Sequence, residues 1–229
     1  MFDDVQVIGR SESAELATNR VLRNTYALLG LSLVPTVIGA YLGLQMDFSF
    51  IAMHPIMFAI GYIAIMFGMF KLIAVNQNSS VGVWLLLGVT FLFGLMLGPI
   101  LQHALHLSNG GQIVGLAAAG TGITFLSLAG IASSPARDFS YLGKFLFIGL
   151  ILALLASIAN MFFHIPAMSL ALSGVSILIF SGYILYDVNQ IVRGGQTNYI
   201  MATLNLYLDI YNIFVNLLNI LMSLMGNRD

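Results

Sequence analysis

Seven times along this chain a run of about twenty residues passes with hardly a charge. At 1.5 Å of helix rise per residue, such a run matches the hydrocarbon thickness of a bilayer. The windows are residues 24–44, 53–73, 81–101, 113–133, 142–162, 168–186 and 203–224, and short turn-forming links join them: Met46-Asp47, Asn76 to Ser80, Ser108 to Gly111, Ser133 to Pro135, Pro166 and Gly194-Gly195. Only 7% of the residues are charged, against roughly 25% in a soluble domain. Such a chain cannot cover a water-facing surface, so its main solvent is lipid. The expected fold is all-α, an integral membrane bundle of seven transmembrane helices.

Two function classes fall away at once. A net charge of −1 offers nothing to a nucleic acid backbone. The absence of cysteine removes disulfides, thiol catalysis and thiolate metal sites. Residues 1–23 mix Asp3, Asp4, Glu12 and Glu15 with Arg10, Arg20 and Arg23. They read as a flexible tail rather than a cleaved signal, with residues 24–229 forming the transmembrane domain. If the N-terminus is cytoplasmic, Arg10, Arg20, Arg23, Lys71, Arg137, Lys144 and Arg193 all fall on the cytoplasmic side and only Arg228 lies outside. That bias predicts an N-in, C-out orientation. Gly39/Gly43, Gly94/Gly98 and Gly111/Gly115 are Gly-x-x-x-Gly pairs, expected as close helix contacts within the bundle.

The last span is apolar yet carries a polar series: Asn205, Asp209, Asn212, Asn216, Asn219 and Ser223. Spacings alternating between three and four put all six on one helix stripe, expected to face the bundle interior. The asparagines alone would serve as interhelical hydrogen-bond partners. Asp209 asks for more, because an intramembrane carboxylate costs about 2.5–3.5 kcal/mol. Asp187, at the expected cytoplasmic end of the sixth span, lies at comparable depth. The prediction is that the two carboxyl groups meet and share a proton, since two close carboxylates ionise together only at a cost. Dipole arguments assign the proton preference to Asp187, at a helix C-terminus, and ionisation to Asp209, near a helix N-terminus. Lys71, Arg193 or Lys144 could supply counter-charge. The same oxygens are too few to cage calcium, and suit its passage better than its storage.

The stretches "GVTFLFGLMLGPILQHAL" (88–105) and "IVGLAAAGTGITFLSLAG" (113–130) resemble the signature of the Bax inhibitor family, the transmembrane Bax-inhibitor-motif proteins. Gly98-Pro99 and the run Thr121-Gly122-Ile123-Thr124-Phe125 carry the likeness, with Gly122 where Ala is commoner. "VLRNTYALLGLSL" (21–33) and "GGQTNYIMATLNLYLDIYNIF" (194–214) resemble its bacterial YccA type. The resemblance implies a seven-helix bundle with the seventh helix central, and an inner-membrane protein that binds and modulates the ATP-dependent protease FtsH with its HflK/HflC partners. The N-terminal tail would be the handle. It further implies a pH-sensitive calcium leak governed by an aspartate pair, matched here by Asp187 and Asp209, with Lys71 nearest to the family's basic latch from helix 2.

Rival chemistries fit less well. Intramembrane aspartyl proteases place Gly-x-Gly before their second aspartate, where this chain has Leu206-Tyr207-Leu208. A serine protease needs a paired base, and a retinal pigment needs a lysine in the last span. His103 and His106, three apart, are the weak candidates for a metal, and no resident cofactor is expected.

Overall fold

The computed structural model describes the backbone of residues 2–226, and the side chains from Leu16 onward except at positions 52 and 55. Arg228, part of the orientation argument, and Met1 lie outside the described residues. Among the described residues nine helices follow one another: α1 (Phe2–Gly43), α2 (Ser49–Met53), α3 (Pro55–Val75), α4 (Ser80–Met96), α5 (Gly98–Leu105), α6 (Gly110–Ala132), α7 (Leu142–Phe163), α8 (Pro166–Val192) and α9 (Tyr199–Met225). Seven spans among the described residues are long and apolar enough to cross a membrane, with α4 and α5 together making the third. The break between them falls at Gly98-Pro99, where a proline at the start of α5 can donate no backbone hydrogen bond. The backbone of α1 is helical back to Phe2, through the segment read above as a tail, and its apolar window starts at Leu16.

One face of the bundle, the basic face, carries Arg20 and Arg23 near the start of the apolar span of α1, with Lys71, Arg137, Lys144 and Arg193 near helix ends and in loops. The opposite histidine face carries His54, His103, His106 and His164. Helix α9 packs against α1, α3, α4, α6 and α8, whereas α7 packs against α8. Lipid-facing surfaces are large and apolar: Ile56, Ile60 and Phe67 on α3, and Phe145, Ile148 and Phe162 on α7, are all exposed.

The tightest seam joins α1 to α4, where two glycine pairs interlock. A Cβ on Gly39 would collide with the Phe91 carbonyl, and one on Gly94 with the Thr36 backbone; Gly43 and Gly98 abut in the same way. Backbones this close give the van der Waals contact that holds helices together in lipid. Pro35 interrupts α1 in the same region. Two hydroxyls beside it bond back to the helix: Ser32 Oγ donates to Leu29 O at 2.7 Å, and Thr36 Oγ1 to Ser32 O at 2.9 Å. The third pair departs from expectation. Gly111 and Gly115 have no neighbour within 4 Å of a built Cβ, so they point away from the protein and make no close seam.

Polar caps set the ends of α8 and α9. Asn198 accepts from the N–H groups of Ile200 and Met201 at 3.0 and 3.1 Å, starting α9 four residues before the expected Thr203. Its amide also donates to Gln77 O at 2.8 Å, tying that start to the α3–α4 loop. Asn189, fully buried, donates to Arg137 O at 2.9 Å and accepts from Phe139 N at 3.0 Å. This clips the α6–α7 loop over the end of α8.

Candidate functional site

Asp187 on α8 and Asp209 on α9 are brought together, with their carboxyl groups within hydrogen-bonding reach of each other. A carboxylate only accepts, so such a bond needs a proton on one partner. Asp209 is 5% exposed, and its Oδ2 is buried with no standing donor among the described residues. Asp187 is half-buried. Tyr183, one turn before Asp187 on the same face of α8, lies close enough to feel both carboxyl groups electrostatically.

The helix-dipole argument does not survive. α8 continues to Val192, which leaves Asp187 more than a turn from its C-terminus. α9 begins at Tyr199, which puts Asp209 nearly three turns in. A terminal dipole acts mainly within the first or last turn, so it cannot assign the proton to either residue.

The expected counter-charges are elsewhere. Arg193, just past the end of α8, turns outward to Asp138 in the α6–α7 loop at 3.2 Å. Lys71 is exposed on α3, and Lys144 sits in the first turn of α7. Among the described residues, no ion pair links a basic side chain to either carboxyl of the pair. Asp138 itself is held below the usual carboxylate range, first by the Ser140 backbone N–H, then by the Ser140 hydroxyl, and least by Arg193.

The polar stripe of α9 behaves differently from interhelical glue. Asn212 donates to Leu208 O and Asn216 to Asn212 O, each at 2.8 Å, so both amides turn back on their own helix. Asn205 is half-buried on the basic side of Asp209. Beyond Asp209, Asn216, Asn219 and Ser223 line an open cavity of about 740 Å³ between α7, α8 and α9. The expectation that the whole stripe faces a packed interior therefore fails for its outer half. The buried polar contacts of α9 lie instead on its α1/α4 side. There the Tyr207 hydroxyl meets Thr36 Oγ1 at 2.8 Å and donates to Thr90 O at 3.3 Å, and Tyr211 donates to Phe93 O at 3.4 Å.

The histidines stay at the opposite face. His103 and His106 are both exposed, with His106 Nδ1 2.6 Å from Gln102 O, and no cluster of three metal-ligating side chains occurs among the described residues.

Sequence reasoning missed a second stripe, on α8. Ser169, Ser173, Ser176, Phe180, Tyr183 and Asp187 follow spacings of 4, 3, 4, 3 and 4, the same alternation that marked α9. Hydroxyls in an apolar span are weak signals singly, and only their phase with Asp187 would have singled them out. Asn189 carried no such signal, because its role depends on a loop fifty residues away.

Seven apolar spans with a carboxyl pair buried between the last two define a multi-pass membrane protein with an intramembrane acidic site. Comparison with known proteins then identifies its kind. Residues 18–227 match the model of the family described as inhibitor of apoptosis-promoting Bax1, and the chain belongs to that Bax inhibitor family. It is 39% identical to the modulator of FtsH protease YccA of Escherichia coli K12, over 96% of this chain and 97% of the relative. It is 41% identical to an uncharacterised protein of Neisseria meningitidis over 92% of this chain and 94% of that one. An uncharacterised membrane protein of Vibrio cholerae is 40% identical over 96% and 97%.

Proposed function

We propose that this protein resides in the inner membrane, N-terminus in the cytoplasm and α9 central, and that it binds FtsH and modulates proteolysis. HflK/HflC would be part of that assembly, as the family resemblance implies, and residues 1–23 the handle. The observation that carries this reading is full-length similarity, at 39% identity, to a protein named as an FtsH modulator. The protein is not itself an enzyme in this reading. Where an intramembrane aspartyl protease has Gly-x-Gly before its second aspartate, this chain has Leu206-Tyr207-Leu208, whose side chains deny a substrate the close backbone approach that glycines allow. The test is capture of FtsH from membranes by the tagged full chain. Loss of capture, and of the effect on FtsH substrate turnover, upon removal of residues 1–23 is the expected outcome. Turnover unchanged by that removal overturns the reading.

The Asp187/Asp209 pair is the regulatory element of this proposal. One shared proton ties α8 to α9, and its loss at higher pH leaves two like charges that push the helices apart. A calcium leak through the parted helices is the second reading, favoured by the donorless Asp209 Oδ2, a hard oxygen of the kind calcium takes. Calcium flux into proteoliposomes should rise with pH, and Asp209→Asn should abolish that rise. A pH profile unmoved by Asp209→Asn ends the latch mechanism while leaving FtsH binding intact.

A further inference from the structure

The cavity between α7, α8 and α9 is lined by Ser157, Asn160 and His164 of α7 and its cap, Ser169, Ser173 and Ser176 of α8, and Asn216, Asn219 and Ser223 of α9, among a few apolar residues. At about 740 Å³ it far exceeds the ~30 Å³ share of one liquid water. In hydrocarbon, unpartnered hydroxyls and amides would each cost free energy. Ser157, Asn160 and Asn216 bond within the protein, and Ser173, Ser176, Asn219 and Ser223 are matched to water. The lining holds no acid, lysine, arginine, Phe, Tyr or Trp, and its one ring is that of His164 at the mouth, so it has few of the charged and stacking groups with which a binding site selects a solute. Asn160 spends its amide on the cavity wall itself, donating to Ser169 Oγ at 2.7 Å and accepting from Ile165 N at 3.1 Å. That bracing ties α7 to the start of α8 at the mouth, beside His164, whose backbone takes the left-handed conformation at φ 52°.

The cavity lies in line with the carboxyl pair. The serine stripe of α8 runs on to Phe180, Tyr183 and Asp187, and the polar stripe of α9 runs back from Asn216 to Asn212 and Asp209. Along the helices, Ser176 to Asp187 is about 16 Å and Asn216 to Asp209 about 10 Å. Phe180 is the one apolar member of the α8 stripe between the cavity floor and the pair. Its ring packs 6.2 Å from that of Tyr183, and Tyr183 lies near both carboxyl groups. We infer that the cavity is an aqueous vestibule through which solvent reaches the aspartate pair from the histidine face, with Phe180 as its stopper. This deepens the reading of the pair as a proton-controlled element and rests on it. It assigns the side from which protons arrive, and the ring that withholds them.

Because the chain has no cysteine, each introduced thiol reports alone. A thiol reacts as its thiolate, which forms where water reaches it. Full-length Ser176→Cys in sealed vesicles of known orientation would be treated with a membrane-impermeant methanethiosulfonate from one face or the other. Modification from the histidine face and protection from the basic face is expected, with Ser173→Cys behaving alike if Ser176→Cys fails to fold. Thiols counted after denaturation confirm the protein present. Tyr183→Cys should be silent from both faces and become reactive from the histidine face once Phe180→Ala is added. Reaction of Ser176→Cys and Ser173→Cys from the basic face, or from neither, overturns the vestibule. Tyr183→Cys reacting while Phe180 is present, or staying silent in its absence, overturns the stopper. Neither serine is assigned to FtsH, so capture of FtsH by these variants should be unchanged, and failed access is distinguishable from a failed modulator reading.

Discussion

The two sides of α9 solve the same problem in opposite ways. Toward α1 and α4, which close on each other to glycine contact, the Tyr207 and Tyr211 hydroxyls find protein acceptors. Toward α7 and α8, the helices stand apart at the histidine face and the polar side chains line open space. A polar group in a membrane needs a partner, and the partner can be a neighbouring helix or water. The first choice makes a rigid seam; the second leaves a passage. The aspartate pair sits on the open side, where a change of charge has somewhere to act.

That contrast can be broken by substitution. The largest effect is expected for Gly94→Leu, whose side chain would have to displace the Thr36 backbone. Overpacking a tight contact costs typically 1–3 kcal/mol, and here about 3 or more, read as lost thermal stability in detergent. Gly115→Leu, facing no neighbour, should stay within about 0.5 kcal/mol, and equal losses for the two would refute the claim of a one-sided seam. Next comes Tyr207→Phe, which removes the bonds to Thr36 and Thr90 and should cost about 1 kcal/mol. Asn216→Ala on the open side should cost less than about 0.5 kcal/mol, since water replaces the amide; a loss matching Tyr207→Phe would mean that the cavity is closed in the membrane.

The smallest effect concerns the loop clip beyond α8. The Asp138 carboxyl is held below its ordinary value, so its contribution is present above the usual aspartate range and disappears as pH falls beneath it. Hydrogen exchange in the α6–α7 loop should be insensitive to the charge state of Asp138 between pH 5 and 7 and loosen only in stronger acid, below about pH 4. Loosening near neutral pH would show that the clip depends on another group.

The spans were legible because lipid imposes a length and a composition that few other folds share. The carboxyl pair was legible as well, since two acids at one depth on consecutive hydrophobic helices have few ways to lower their cost. What escaped was directional. Nothing in the spacing of Asn212, Asn216 and Asn219 told that two amides would bond back to their own helix and that the third would face a cavity. Nor did the sequence announce that Arg193 would turn to Asp138, because that depends on where Asn189 pins a loop. The Gly-x-x-x-Gly pairs looked alike, yet two interlock in one buried seam and the third faces outward.

By itself, then, the sequence determined what must leave water and which helix faces are polar, because hydropathy and the 3.6-residue period are properties of each segment alone. Only the tertiary structure decided which polar face meets protein and which meets solvent, because that depends on how closely neighbouring helices approach, and approach is a property of pairs.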